Sequence, residues 1–375
     1  MKKLILAIGL TALAFSTPAF AQTDEEAIAR LNELGLEFRN APIDAEALAE
    51  IQSLRIPREA LEAFTDADLR HLTRMPRLGH LELAAGDALT PDGLAVLAGV
   101  ENLWSLSFRG GNLTDAHIAA LSDIEGLRRL DLALNRNIGD DALAHIAAHE
   151  TLRSLTLDST AVTDDGIAAL AGHPALEQLS LTQTAITDAA FEPLGTIATL
   201  KTLGLTSTAV TGSGFSHLIG LSNLEEISAR GTQMDDDSVA TLSGIPSLKR
   251  LFIWSTNVTD AAMPDLASLP DLQVLYLDGN DISDAGLAAF AGHESLRTLW
   301  ISDTSVTDAG LEALADLSLE VIFLNKTGVS DAGMLLLAGI PTLRSISARD
   351  SDVTEPGIEA ALAVEGRNDR LQIRN

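Results

Sequence analysis

Leu152-Arg-Ser-Leu155-Thr-Leu157-Asp-Ser-Thr160-Ala-Val162-Thr163-Asp164-Asp-Gly166-Ile167-Ala-Ala-Leu170-Ala-Gly-His-Pro is one copy of a unit of about 24 residues. Further copies begin at Leu176, Leu200, Leu224, Leu248, Leu272, Leu296, Leu319 and Leu343, and less regular ones at Leu31, Ile51, Leu78, Leu103 and Leu127. A fixed period of this length predicts a solenoid, because each unit can bury its apolar face only against its neighbours.

The first half of the unit reads L-x-x-L-x-L. Alternation around Leu155 and Leu157 marks a short strand whose leucines point inward. Thr160 follows at the ninth position and returns as Thr184, Thr208, Thr232, Thr256, Thr304 and Thr327, with Asn135 and Asn280 as variants. The chain turns there, and a stacked hydroxyl or amide can satisfy the stranded backbone groups. The second half predicts a short helix. Thr163, Thr187, Thr259, Ser283, Thr307 and Ser330 stand at its N-cap, each followed by an Asp at the positive end of the helix dipole. Apolar pairs such as Ile167 with Leu170 turn one stripe inward, where Phe191, Phe215 and Phe290 also fall.

Strand, turn and helix in register imply an α/β solenoid, a horseshoe with a concave parallel sheet and convex short helices. The pattern resembles leucine-rich repeats over about residues 31–364. It is most similar to the helix-backed class of 24 to 26 residues, seen in bacterial GALA-type and cysteine-containing F-box-associated proteins, with Thr where that class often has Asn or Cys. The resemblance implies a protein-recognition scaffold and leaves the partner open.

The chain opens with Lys2 and Lys3, an apolar stretch from Leu4 to Phe15, and Ala19-Phe20-Ala21, which together predict a secretory signal peptide over 1–21, cleaved after Ala21. No second apolar run is long enough to span a bilayer, and with zero Cys neither disulfides nor thiolate metal sites can form. The expected setting is the periplasm or the outside of a bacterial cell. Domain expectations are an N-terminal capping helix and degenerate first repeat over 22–50, opened by the capping box Thr23–Glu26, then the repeats over 51–364 and a C-terminal cap over 365–375.

Net charge is −28, and loss of the two leader lysines makes it two units more negative. Nucleic acid is excluded as a partner, since phosphate binding needs a basic surface. The acidity fits either a saline habitat or simple solubility of an elongated molecule.

Function is expected where the repeats stop agreeing. The fifth position faces out from the concave sheet, and from Leu127 onward it reads Asp131, Thr156, Ser180, Gly204, Ser228, then Phe252, Tyr276, Trp300, Phe323, then Ser347. Trp254 points to the same face. Strands about 4.8 Å apart make this an aromatic stripe roughly 14 Å long. Contiguous exposed rings mark an interaction site, and Tyr and Trp are common interface anchors. The alternative is a cross-strand ladder that merely stiffens the sheet. Arg230, Lys249, Arg250, Arg297, Lys326, Arg344 and Arg349 fringe the stripe, suggesting a cationic rim on an otherwise acidic molecule.

The expected activity is therefore non-catalytic protein binding through this patch, with glycan or cell-wall polysaccharide binding as the alternative. No phosphate loop, nucleophile elbow or H-E-x-x-H sequence points to an enzyme or a cofactor. His145 and His149 have a metal-compatible spacing but read as a solvated helix face. The Asp column could attract calcium, yet helix capping accounts for it.

Overall fold

A computed structural model describes residues 23–61, 63–83 and 89–375; the leader expected over 1–21 lies outside them. Fourteen parallel strands, from Ser53–Ile56 to Gln372–Arg374, form one open sheet whose spatial order follows the chain. Before it come the helix Asp24–Glu33, the antiparallel pair Glu37–Phe38 and Ala41–Pro42, and the helix Ala45–Glu50. Thr23 and Glu26 form the expected capping box.

The leucine pattern sets the register. Leu155 pairs with Leu179, Leu179 with Leu203 and Leu251 with Leu275, all at most 1 % exposed. Short α and 3-10 helices lie on the other side of this core, and Phe191, Phe215 and Phe290 are fully buried among them. Each repeat thus adds one apolar layer, and the core runs the length of the sheet.

The ninth-position threonines act as expected. The hydroxyl of Thr160 donates to the carbonyl of Leu157 at 2.6 Å, and Thr184, Thr208, Thr232, Thr256, Thr304 and Thr327 repeat the bond at 2.6–2.9 Å. Asn280 does more: its amide donates to Leu277 and, one repeat back, to Ile253, while its oxygen accepts the N–H of Thr256.

One position earlier the backbone is left-handed in repeat after repeat. Leu134, Ser159, Gln183, Ser207, Ser255, Asp303, Lys326 and Asp350 have φ between 54° and 66°, and Gly231 and Gly279 take the same place. This turn carries the strand into the descending half of the unit, and it charges each non-glycine residue a steric penalty.

The Asp column serves the next repeat as well as its own helix. Asp284 accepts the N–H of Thr307 at 2.7 Å and its hydroxyl at 2.6 Å; Asp308 does the same for Ser330, and Asp331 for Thr354. A neutral cap and a carboxylate 22 or 23 residues apart are thereby joined in successive repeats. This explains a conspicuous glycine. A Cβ on Gly310 would lie 2.5 Å from Asp284 Oδ1, and Gly286 and Gly333 stand in the same relation to Asp260 and Asp308.

Two expectations need correction. Thr163 occupies an N-cap position but makes no capping bond; its hydroxyl and N–H both go to Asp140. His149 lies beyond the end of the helix Asp141–Ala147 and is buried, so it is no part of a solvated face with His145. Burial, relieved in part by a bond to the backbone of Ile124, lowers its pKa. His173 and His293 occupy the equivalent place in later repeats and are also buried.

Candidate functional site: the concave aromatic stack

Strands Arg250–Phe252, Val274–Tyr276, Thr298–Trp300 and Val321–Phe323 are consecutive neighbours, so Phe252, Tyr276, Trp300 and Phe323 stand side by side in register. Each strand buries its central residue and leaves the flanking two partly open, which turns the ring column to the concave surface. Phe252 meets Tyr276 edge-on at 4.8 Å between centroids, Tyr276 stacks on Trp300 at 4.0 Å, and Trp300 on Phe323 at 4.2 Å. Trp254, two residues beyond Phe252, closes the group at 5.6 Å from Tyr276.

All five rings are half-buried rather than freely exposed, because each covers part of the next. The stripe is one packed apolar surface on the concave side. Trp300 Nε1 is buried there without a hydrogen-bond partner. Burial, with some help from Asp278, raises the phenol pKa of Tyr276, so that the ring stays neutral. Asp278 itself is raised by burial, although it accepts the N–H of Ser302 at 2.7 Å.

The cationic rim is weaker than its sequence suggests. Lys249 pairs with Glu225 at 2.8 Å, Arg250 with Glu226 at 2.6 Å and Arg344 with Glu320 at 3.3 Å. For Lys249 the cause is an alternation along the second position of the unit. Arg153, Glu177, Lys201, Glu225 and Lys249 follow one another with opposite signs, and each glutamate takes a cation from a neighbouring repeat. Arg297 donates to the carbonyls of Glu294 and Leu296. Arg230 lies 5.5 Å from the centroid of the Trp254 ring, a cation–π contact that extends the stack. Lys326 and Arg349 are exposed at the far side, with no ion pair among the described residues. The rim is thus a set of internal pairs plus a few free cations.

Beside the stack the concave floor is small and polar. Thr156, Ser180, Gly204 and Ser228 replace the rings, and with Arg129, Glu226 and Arg250 they line a groove of about 420 Å³. Among the described residues no three His, Asp or Glu side chains gather as a metal site. No described helix is long and apolar enough to cross a membrane.

Four stretches, 127–147, 148–171, 268–291 and 292–315, match the family model described as Leucine Rich repeat. Together with the open parallel sheet and its backing helices, they decide the architecture. The fold is a leucine-rich-repeat solenoid. Its strands and helices superpose on an internalin from Listeria monocytogenes at 21 % identity, with 94 % of each chain covered and a TM-score of 0.64. The TLR13 chain of a TLR13–ssRNA13 complex is similar at 19 % identity and a TM-score of 0.57, over 82 % of this solenoid and 44 % of that chain. At these identities the likeness concerns the fold alone. No curated protein matches the chain in sequence.

Sequence reading missed one aromatic of the concave margin. Trp104 stands at the second position of its unit, where all later repeats but the one with Gln273 carry charges, and it is 48 % exposed. That mismatch with the column was visible in the sequence.

Proposed function

We propose that this leucine-rich-repeat protein is a non-catalytic scaffold that binds a protein partner through the concave stack of Phe252, Trp254, Tyr276, Trp300 and Phe323. The observation carrying this reading is the unbroken ring contact across four adjacent strands, where the preceding repeats present Thr, Ser and Gly. A packed, half-open aromatic surface of this kind supplies rigid contact area at little entropic cost. Arg230, Arg250, Arg297, Lys326 and Arg349 frame it, with Lys326 and Arg349 free to meet acidic groups on the partner.

The leader sequence supports a periplasmic or extracellular setting for the mature protein. The Thr-bearing unit of about 24 residues supports a place in the helix-backed, GALA-like class of repeats. Domain limits follow the same reading, with capping segments over 22–50 and 365–375 and the repeats over 51–364. Glycan binding at the stack is disfavoured by its geometry, since rings 4.0 Å apart and nearly parallel hide the faces that a sugar would cover.

Affinity capture from a periplasmic extract tests the proposal, using the wild type beside a Phe252→Ala/Trp300→Ala variant. A protein retained by the first and lost by the second is the expected result. If every captured protein remains with the variant, the site assignment fails.

A further inference from the structure

The second-position column forms one margin of the sheet. Trp104 N–H donates to the carbonyl of Gly79 at 3.0 Å, Arg128 to Trp104 at 2.8 Å and Arg153 to Arg128 at 2.8 Å. From Arg153 to Lys249 the column alternates in charge and pairs with itself. At its N-terminal end that order breaks, and a glycine, a tryptophan and two arginines stand in line.

Trp104 is as exposed as any large apolar side chain among the described residues, at 48 %. Its indole is nevertheless seated. A Cβ on Gly79 would lie 2.3 Å from Nε1 and 2.7 Å from Cδ1, so the pyrrole edge rests where any other residue would carry its side chain. His80 stands 6.3 Å from the indole and is oriented by a 2.8 Å bond from Nδ1 to Ser105 Oγ. Asn102 is fixed by donating to the carbonyl of Pro76 at 2.7 Å. Trp104, His80, Asn102, Gln52 and Arg77 border a groove of about 520 Å³. Arg77, on the border of the groove, is exposed and makes no ion pair among the described residues.

We propose that this groove binds an acidic saccharide, one ring lying on Trp104 and its carboxylate met by Arg77. The volume suits a small ligand. A lone indole offers the electron-rich face that the C–H groups of a pyranose favour, whereas the concave stack hides its faces. Planar amides at Gln52 and Asn102 can hold hydroxyls, and the Arg77 guanidinium matches a carboxylate in charge and shape. The site is separate from the aromatic stack, many repeats away along the chain.

Calorimetric titration with trigalacturonate, maltotriose and tetraglutamate distinguishes the outcomes. Trigalacturonate should bind the wild-type protein, more weakly as NaCl rises, and at least tenfold more tightly than either of the other two. Trp104→Ala and Arg77→Gln should each weaken it at least tenfold. Trp104→Phe, which keeps a ring and guards against misfolding as an explanation, should retain most of the binding. Phe252→Ala/Trp300→Ala should bind trigalacturonate like the wild type, and a loss there would move the site to the stack and overturn the proposal. Absence of trigalacturonate binding, equal binding by Trp104→Ala, or equal affinity for tetraglutamate would also overturn it.

Discussion

The indole of Trp300 lies nearly parallel to the phenol ring of Tyr276, with centroids 4.0 Å apart and planes inclined by 10°. Both side chains ride on strands whose register is already held by the fully buried Leu275 and Leu299. The rings are therefore dispensable for the register, and their mutual contact contributes only about 0.5–1.5 kcal/mol per pair. Deleting a buried leucine costs more, about 2–5 kcal/mol. Trp300→Ala should accordingly keep its fold, melt a few degrees lower and lose the captured partner, while Leu299→Ala should be strongly destabilised. Thermal melts run beside the capture assay check this. A destabilisation by Trp300→Ala as large as that by Leu299→Ala would assign the stack to the scaffold.

Asp284, Thr307 and Gly310 form a unit that spans two repeats. The carboxylate accepts both polar groups of the threonine, and the glycine leaves room for it. Asp284→Ala strands an N–H and a hydroxyl, for an expected loss of about 1–3 kcal/mol. Gly310→Ala forces a methyl against Oδ1 and the Asp284 backbone, and overpacking of this kind costs about 1–3 kcal/mol. The two should couple, because removing the carboxylate relieves most of the clash. Denaturant midpoints for the double-mutant cycle give the coupling directly. Strictly additive losses would show that the glycine has another role.

The fold was legible because every level of the repeat agrees: leucine spacing, turn hydroxyl and cap residue all point to one strand, turn and helix. The aromatic column was legible for the same reason, since register follows from the leucines and places Phe252, Tyr276, Trp300 and Phe323 together. What escaped the reading were relations between repeats. Arg250 looks free in the sequence, yet Glu226, one repeat earlier, neutralises it. Asp308 looks like a dipole residue, but its oxygens serve Ser330. His149 looks like a surface residue on an extrapolated helix, although the helix ends before it and the ring packs inward. A one-dimensional pattern shows which residues share a column; which neighbours they choose depends on side-chain reach.

Leu134 departs most from its own column. It holds φ at 66° where other repeats use Ser, Gly, Gln, Asp or Lys, and its side chain is 48 % exposed. A left-handed conformation costs a residue with a Cβ about 1–2 kcal/mol, and glycine escapes this at some cost in chain entropy. Leu134→Gly should therefore raise stability by roughly 0.5–1 kcal/mol, and Gly279→Ala should lower it by a comparable amount. Urea midpoints at constant m-value decide between the signs. A destabilised Leu134→Gly would show that the leucine makes contacts worth more than the strain.

Stability should fall in two stages on acidification. His71, His149 and His173 are shifted down from the ordinary 6.5, chiefly because burial disfavours the charged ring; for His149 the charge of His173 adds to the depression. The unfolded chain takes up these protons near pH 6.5, while the folded chain resists until a lower pH. Their contribution is thus complete above that value and lost as pH falls below it. Glu177 and Glu225 behave differently. Bonds to Lys201 and Lys249 hold them below the ordinary 4.5, so their stabilisation persists down to that range and disappears through the folded values beneath it. Both pairs are solvent-facing, which keeps the second stage small. Chemical denaturation between pH 8 and pH 3 should show a first limb below about pH 6.5. In His149→Gln/His173→Gln that limb should flatten while the acid limb near pH 4 remains. An unchanged first limb in this variant would remove the histidine column from the pH response.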